Sequence, residues 1–198
     1  MVSTVTLEED EMARIIEIPN LLISLRKQSD RIAIVGTWVF VHRDRYGNIK
    51  DYEVVHNIVP NEGLNYLLGA ALHGDSQINQ WYFAPHITSG FTPLATHTYA
   101  SPGYTEATTQ ILESKRQEWV EGAASSQQIT NDVAAVVTAT GSVTFYGAGL
   151  VGGGSAPDTK GDTAGGGILL ASSVLASPKT LDTDETLSMT YTISASSS

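Results

Sequence analysis

Residues 186–194, Thr-Leu-Ser-Met-Thr-Tyr-Thr-Ile-Ser, alternate polar and apolar without a break. A period of two puts Leu187, Met189, Tyr191 and Ile193 on one face and the hydroxyl residues on the other, the pattern of a half-buried antiparallel strand. Similar runs recur along the chain. Ile32 to Val41 is rich in β-branched and aromatic residues, Asp44 to Asn48 supplies turn chemistry, and Tyr52 to Val59 is a second run, so 32–59 predicts a β-hairpin. Further short strands are predicted at 80–84, 116–121, 133–138, 142–151 and 168–175, with a long loop over 87–110.

One segment carries the helical period instead. Leu64, Leu67, Leu68, Ala71 and Leu72 fall at i, i+3, i+4, i+7 and i+8, with Asn61 as N-cap, Glu62 in the first turn and Gly74 as the stop. The pattern predicts a short helix over 61–73 whose Leu64, Leu67, Leu68 and Leu72 stripe packs against a sheet. A series of short strands with one helix predicts a mainly β domain over 31–198, an antiparallel β-sandwich of jelly-roll-like form.

Residues 1–30 read as an N-terminal arm. Met12, Ile15 and Ile16 lie on one side of a short helix stopped by Pro19, and Asn20 caps a second turn bearing Leu21, Leu22 and Leu25. Aliphatics at this density need a partner surface. Met12, Ile15, Ile16, Leu21, Leu22 and Leu25 are therefore candidate interface residues, joined by the aromatic pair Trp81 and Tyr82.

Charge narrows the partners. Eleven basic against 21 acidic residues give a net charge of −10, a field that repels phosphates and argues against nucleic acid and anionic membranes. The chain has no cysteine, which suits a reducing cytosol. Its start is acidic where a secretion signal would be basic and then apolar, and no apolar run approaches the ~20 residues of a membrane span.

The candidate chemistry is thin. Gly147, Gly149 and Gly152 form a literal G-x-G-x-x-G after a strand, but the turn-rich stretch 152–167 cannot open the helix that a dinucleotide needs. The glycines read instead as close backbone approach, followed by a flexible hairpin-like loop. His42, His56, His73, His86 and His97 show no metal-ligand spacing, and Asp182 with Asp184 makes only half a calcium loop, better read as a solvated turn. Glu106, Glu113, Glu118 and Glu121 could in principle pair as glycosidase carboxylates, with a charged strand face as the default. Trp38, Trp81, Tyr82, Phe83 and Trp119 could stack a sugar, with packing favoured. No catalytic residue, cofactor or metal is expected.

Several stretches resemble small structural proteins of tailed-bacteriophage virions: EVVHNIVPNEGLNYLLGAALHG (53–74), WYFAP (81–85), GYTEAT (103–108), and GILLASS with KTLDTDETLSMTYTIS at the end. The likeness covers roughly 53–195, lies in structural residues, and leaves the N-terminal arm without a counterpart. It implies a head decoration (cement) protein that binds the major capsid protein on the outer face of the shell. It also implies self-association as a homotrimer or homodimer, and assembly in the bacterial cytoplasm. A tail, baseplate or fibre-adaptor protein is an open alternative, and a carbohydrate-binding module another.

Overall fold

The computed structural model describes residues 16–18, 21–23 and 32–197. The chain divides into two units, residues 1–33 with 197–198 and residues 34–196. In the first unit, β1 (Ile16–Ile18) and β2 (Leu21–Ile23) pair antiparallel, with Ile16 opposite Ile23 and Ile18 opposite Leu21. This corrects the helical expectation for Ile16, Leu21 and Leu22. Three isoleucines in six paired positions favour extended backbone, and only Pro19 and Asn20 separate the strands in sequence. Met12, Ile15 and Leu25 lie outside the described residues.

The second unit is mainly β, built of antiparallel sheets, with one α-helix among the described residues. β3 (Ile32–Arg43) and β4 (Ile49–His56) form the expected hairpin. Asp44 closes its turn by accepting the Tyr46 and Asn48 N–H groups at 2.9 and 2.8 Å, and Gly47 supplies the left-handed residue at φ +86°. Next to β3 lies β13 (Thr186–Ser197), whose other edge pairs with β7 (Gln128–Thr130) and β8 (Ala135–Thr138). A second sheet runs in the order β11 (Ile168–Ser172), β10 (Gly147–Gly152), β5 (Trp81–His86), β6 (Gln117–Glu118). β9 (Val143–Phe145) pairs separately with β12 (Lys179–Leu181).

Aromatic contacts join the two larger sheets. Trp38 of β3 stacks on Phe40 at 5.6 Å, meets Phe83 of β5 edge-on at 5.6 Å, and touches Tyr191 of β13 at 4.5 Å. The alternation of β13 is as read, with Leu187, Met189 and Tyr191 fully buried and Ile193 packed at the margin. β5 and β10 differ from the rest because every residue in them is buried. Trp81, Phe83, Ala148 and Leu150 enter the main core, whereas Tyr82, Ala84 and Val151 join Tyr99 and Leu169 in a smaller cluster. Trp81 and Tyr82 keep only 6% and 8% exposure, so the expectation that they anchor an interface is corrected.

α1 (Asn61–Leu68) continues as a π-helical turn, Gly69–His73, and stops at Gly74 with φ +81°. Pro60, not Asn61, occupies the N-cap, and the Asn61 N–H donates to the Ala95 carbonyl at 2.9 Å. The leucine stripe is corrected in part: Leu67 packs on the core as expected, but Leu68 is 58% and Leu72 82% exposed. The face turned inward is Gly63, Tyr66 and Leu67, one step round the same helical period. Gly63 decides this choice, because a Cβ there would lie 2.7 Å from the Leu170 carbonyl of β11, so the helix approaches backbone to backbone. Glu62 fastens the same end by accepting the Tyr99 and Leu169 N–H groups, both at 2.7 Å.

Gly63→Ala should therefore destabilise the protein by about 1–3 kcal/mol, outweighing alanine's helix propensity of ~1 kcal/mol. Leu72→Ala should stay within about 0.5 kcal/mol. Urea unfolding of the two variants checks both, and an equal effect at the two positions would contradict this helix orientation.

Candidate functional site

The second face of the β5–β10 pair is covered by loops, and one ion pair holds those loops down. An isolated bridge between His86 and Glu106, with the Ala107 N–H donating to the Pro85 carbonyl at 2.8 Å, lays the Glu106 segment along β5. There the buried Arg116 donates to Glu106 through Nε at 3.0 and 3.1 Å and through Nη2 at 2.7 Å. Its remaining donors reach the Tyr99 hydroxyl (3.2 Å) and the carbonyls of Pro157 and Asp162 (both 2.9 Å). Glu106 also accepts the Gly161 N–H at 2.9 Å, and Tyr99 donates to Asp162 at 2.7 Å. Lys160 adds bonds to the carbonyls of Thr108, Ile111 and Glu113. The glycine-rich loop 152–167, expected to be flexible, is thus clamped from both flanks.

The charges in this cluster support one another. Burial works against the Arg116 charge, yet Glu106 and the Tyr99 hydroxyl hold its pKa above the ordinary guanidinium value. Burial and Asp162 raise the Tyr99 phenol, and the Tyr99 hydroxyl lowers the Asp162 carboxyl. Beside the clamp is a cavity of ≈ 260 Å³ lined by Tyr99, Tyr104, Thr105, Glu106, Arg116 and Asp162. Its charged groups are all held by the protein, Arg116 on Glu106, Tyr99 and two carbonyls, and Asp162 on Tyr99 and the Ala164 and Gly165 N–H groups, which makes a shape-holding cluster.

The three fingerprint glycines serve packing. Added Cβ atoms would lie 2.2 Å from the Ser173 carbonyl at Gly147, 2.0 Å from the Tyr104 hydroxyl at Gly149, and 2.6 Å from the Trp81 ring at Gly152. All three sit inside β10, with β5 and β11 hydrogen-bonded on either side and a loop following. The strand-to-helix handover of a dinucleotide site does not occur at this motif.

The other candidates disperse. Glu113 accepts the Thr138 N–H, and Glu118 accepts from Gln80 at 3.4 Å. Trp38, Trp81 and Trp119 are buried, so the aromatic group is core. Glu185 bonds His42 at 2.9 Å, Lys50 at 2.8 Å and the Asp182 N–H at 3.0 Å, so the Asp182–Asp184 stretch is the turn that presents Glu185. Lys50 above all, then the Asp182 N–H, holds the Glu185 carboxyl down at about 2. Lys179, itself buried, pairs with Asp51 and with Glu53 at 3.0 Å. Among the described residues no cluster of His, Asp and Glu is placed to hold a metal ion, and no helix is long and apolar enough to cross a membrane. Of the interface candidates, Ile16, Leu21 and Leu22 fall in β1 and β2, far in sequence from Trp81 and Tyr82 in the core. Sequence reasoning gave Arg116 no role; it stands beside Lys115 and between Glu113 and Glu118, a charged stretch that carries no signal of burial.

Comparison with known protein families, with curated proteins and with solved structures finds no match.

His86 gives the site a pH signature. It is fully buried, its Nε2 lies 3.1 Å from the Ser173 carbonyl, and Nδ1 has no partner. Burial drives the imidazole from 6.5 down to about 4. The folded state thus refuses a proton that the unfolded chain accepts below about 6.5, so stability falls as pH drops from about 6.5 to 4, by up to ~3 kcal/mol. His86→Gln should lack this decline. Loss of the Glu185 contribution belongs to a lower window, roughly pH 4.5 to 2. Unfolding titrations at several pH values separate the two, and parallel acid profiles for wild type and His86→Gln would contradict the assignment.

Proposed function

We propose that this chain is a structural protein of a tailed-phage virion, a head decoration (cement) protein seated on the outer face of the shell against the major capsid protein. We further infer that its two larger sheets constitute an antiparallel β-sandwich of jelly-roll type, with the loop layer over β5 and β10 as an elaboration.

The observation that carries this reading is the outer face of the β3–β4 hairpin. Val39 pairs with Val54 and Val41 with Tyr52, on the side opposite the buried Trp38 and Phe40. Tyr52 is 66% and Val54 53% exposed, and Ile49 extends the apolar strip. A strip of this kind on a stiff β body suits permanent contact with another protein. The resemblance over 53–195 supplies the class, and a net charge of −10 favours the outside of a shell over its DNA-filled interior.

Quantifying the protein against the major capsid protein in purified particles tests the proposal. The reading predicts a fixed ratio, with copies scaling with capsid subunits, and restored stability when the protein is added to shells lacking it. A handful of copies per particle would assign it to the tail instead, and absence from particles would end the virion reading.

A further inference from the structure

The turn that joins β3 to β4 holds two side chains out on a fixed backbone. Asp44 accepts the Tyr46 and Asn48 N–H groups, the Gly47 N–H donates to the Asp44 carbonyl at 2.9 Å, and Arg43 donates to the Gly47 carbonyl at 3.1 Å. These bonds set the turn and occupy the Asp44 carboxylate. Arg45 and Tyr46 stand at its tip, both exposed, Tyr46 to 82%. Tyrosine and arginine are the side chains that most often anchor protein interfaces, and a backbone already in place lowers the entropy lost on binding.

A matching recess lies elsewhere on the same unit. A cavity of ≈ 330 Å³ opens between the helical segment and β13, walled by Tyr66, Leu67, Trp81, Trp119 and Ile193. Glu121 is exposed at its mouth, and among the described residues no basic side chain lines it. Asp132 lies against Gly122, the neighbour of Glu121, so negative charge gathers there. An apolar cavity of about 150 Å³ takes a benzene ring, so this one admits a phenol ring.

We propose that Tyr46 of one copy inserts into this cavity of a second copy, with Arg45 set against Glu121. Within one chain the two sites cannot meet. Glu185, bonded to His42 and Lys50 on either side of the turn, stands at the start of β13. Ile193 of the cavity lies eight residues further on, roughly 26 Å at the rise of a strand, well beyond the reach of a tyrosine. Charge also selects a second copy. Three of the eleven basic residues fall between 43 and 50 on a molecule of net charge −10, so the tip is drawn to the acidic mouth of a neighbour. The contact joins unlike surfaces, so its repetition builds a head-to-tail assembly, closed into a ring where the rotation allows. Neither surface includes the Val39, Val41, Tyr52 and Val54 strip, and the inference concerns the isolated protein, so it stands apart from the virion reading.

Sedimentation equilibrium of the full-length protein tests this contact. Wild type should self-associate, and Tyr46→Ala should weaken association by about tenfold or more. Ala71→Phe, which fills the cavity from its exposed rim, should do the same. Mixed in equal amounts, these two variants should form pairs and stop there, because each pair holds one intact tip and one intact cavity. Arg45→Glu and Glu121→Arg should each weaken association, and the variant carrying both should regain it. Thermal melts matching wild type show that each variant folds. A monomeric wild type would overturn the proposal. So would folded single variants that associate like wild type, a mixture that does not pair, or a double variant that stays weak.

Discussion

A strand pair buried on both faces sets the constraint on this structure. β5 and β10 pair from Trp81 opposite Gly152 to His86 opposite Gly147, and every residue in both is buried. Such strands usually owe their second cover to helices. Here the one α-helix among the described residues lies at β11, and the cover over Tyr82, Ala84 and Val151 is made of irregular backbone. Irregular backbone near a core must find partners for its polar groups. The Arg116–Glu106 pair answers that need: Arg116 serves two loop carbonyls and Glu106 one loop N–H, while each satisfies the other.

Buried ion pairs of this sort add little net stability compared with a well-packed apolar substitute, but losing one partner strands the other at a cost of about 3–5 kcal/mol. The arrangement therefore fixes geometry more than it adds energy. Half-exposed counterparts occur where buried Lys179 meets Asp51 and Glu53, and where buried Glu185 gathers His42 and the more exposed Lys50. The first ties β4 to β12, and the second ties β3 and β4 to the turn before β13. Charged side chains are scarce in this chain at 16%, and several of them are spent on interior fastening. The strip over Val39, Val41, Tyr52 and Val54 lies on the other side of the hairpin, with Tyr52 and Val54 exposed.

Much of the β architecture was legible because its strands follow period-two rules. The 186–194 alternation maps directly onto β13, and the Asp44–Asn48 turn closes the expected hairpin. The helix was legible in extent but not in orientation. Of the expected Leu64, Leu67, Leu68 and Leu72 stripe, Leu67 packs on the core, while the close approach at Gly63 leaves Leu68 and Leu72 outside, a backbone contact that hydrophobicity does not encode. Two three-residue strands, β7 and β12, were too short to leave a periodic trace. In the hairpin of β1 and β2, three residues per strand are too few for a period of two to be told from one of 3.6. The clamp was the least legible feature. Arg116 and Glu106 are ten residues apart, and their loop partners at 157–162 lie more than forty residues further on, a convergence set only by the tertiary fold.

Native-state hydrogen exchange tests most directly whether the loop layer and the buried strands form one unit. The amides of Ser155, Gly161 and Gly165 in the loop, each hydrogen-bonded, are to be compared with those of β10 from Gly147 to Gly152. The account predicts that both sets open together, with the same free energy and the same denaturant dependence. Loop amides that exchange freely while β10 stays protected would contradict it, because the strand pair would then keep its second face without the clamp.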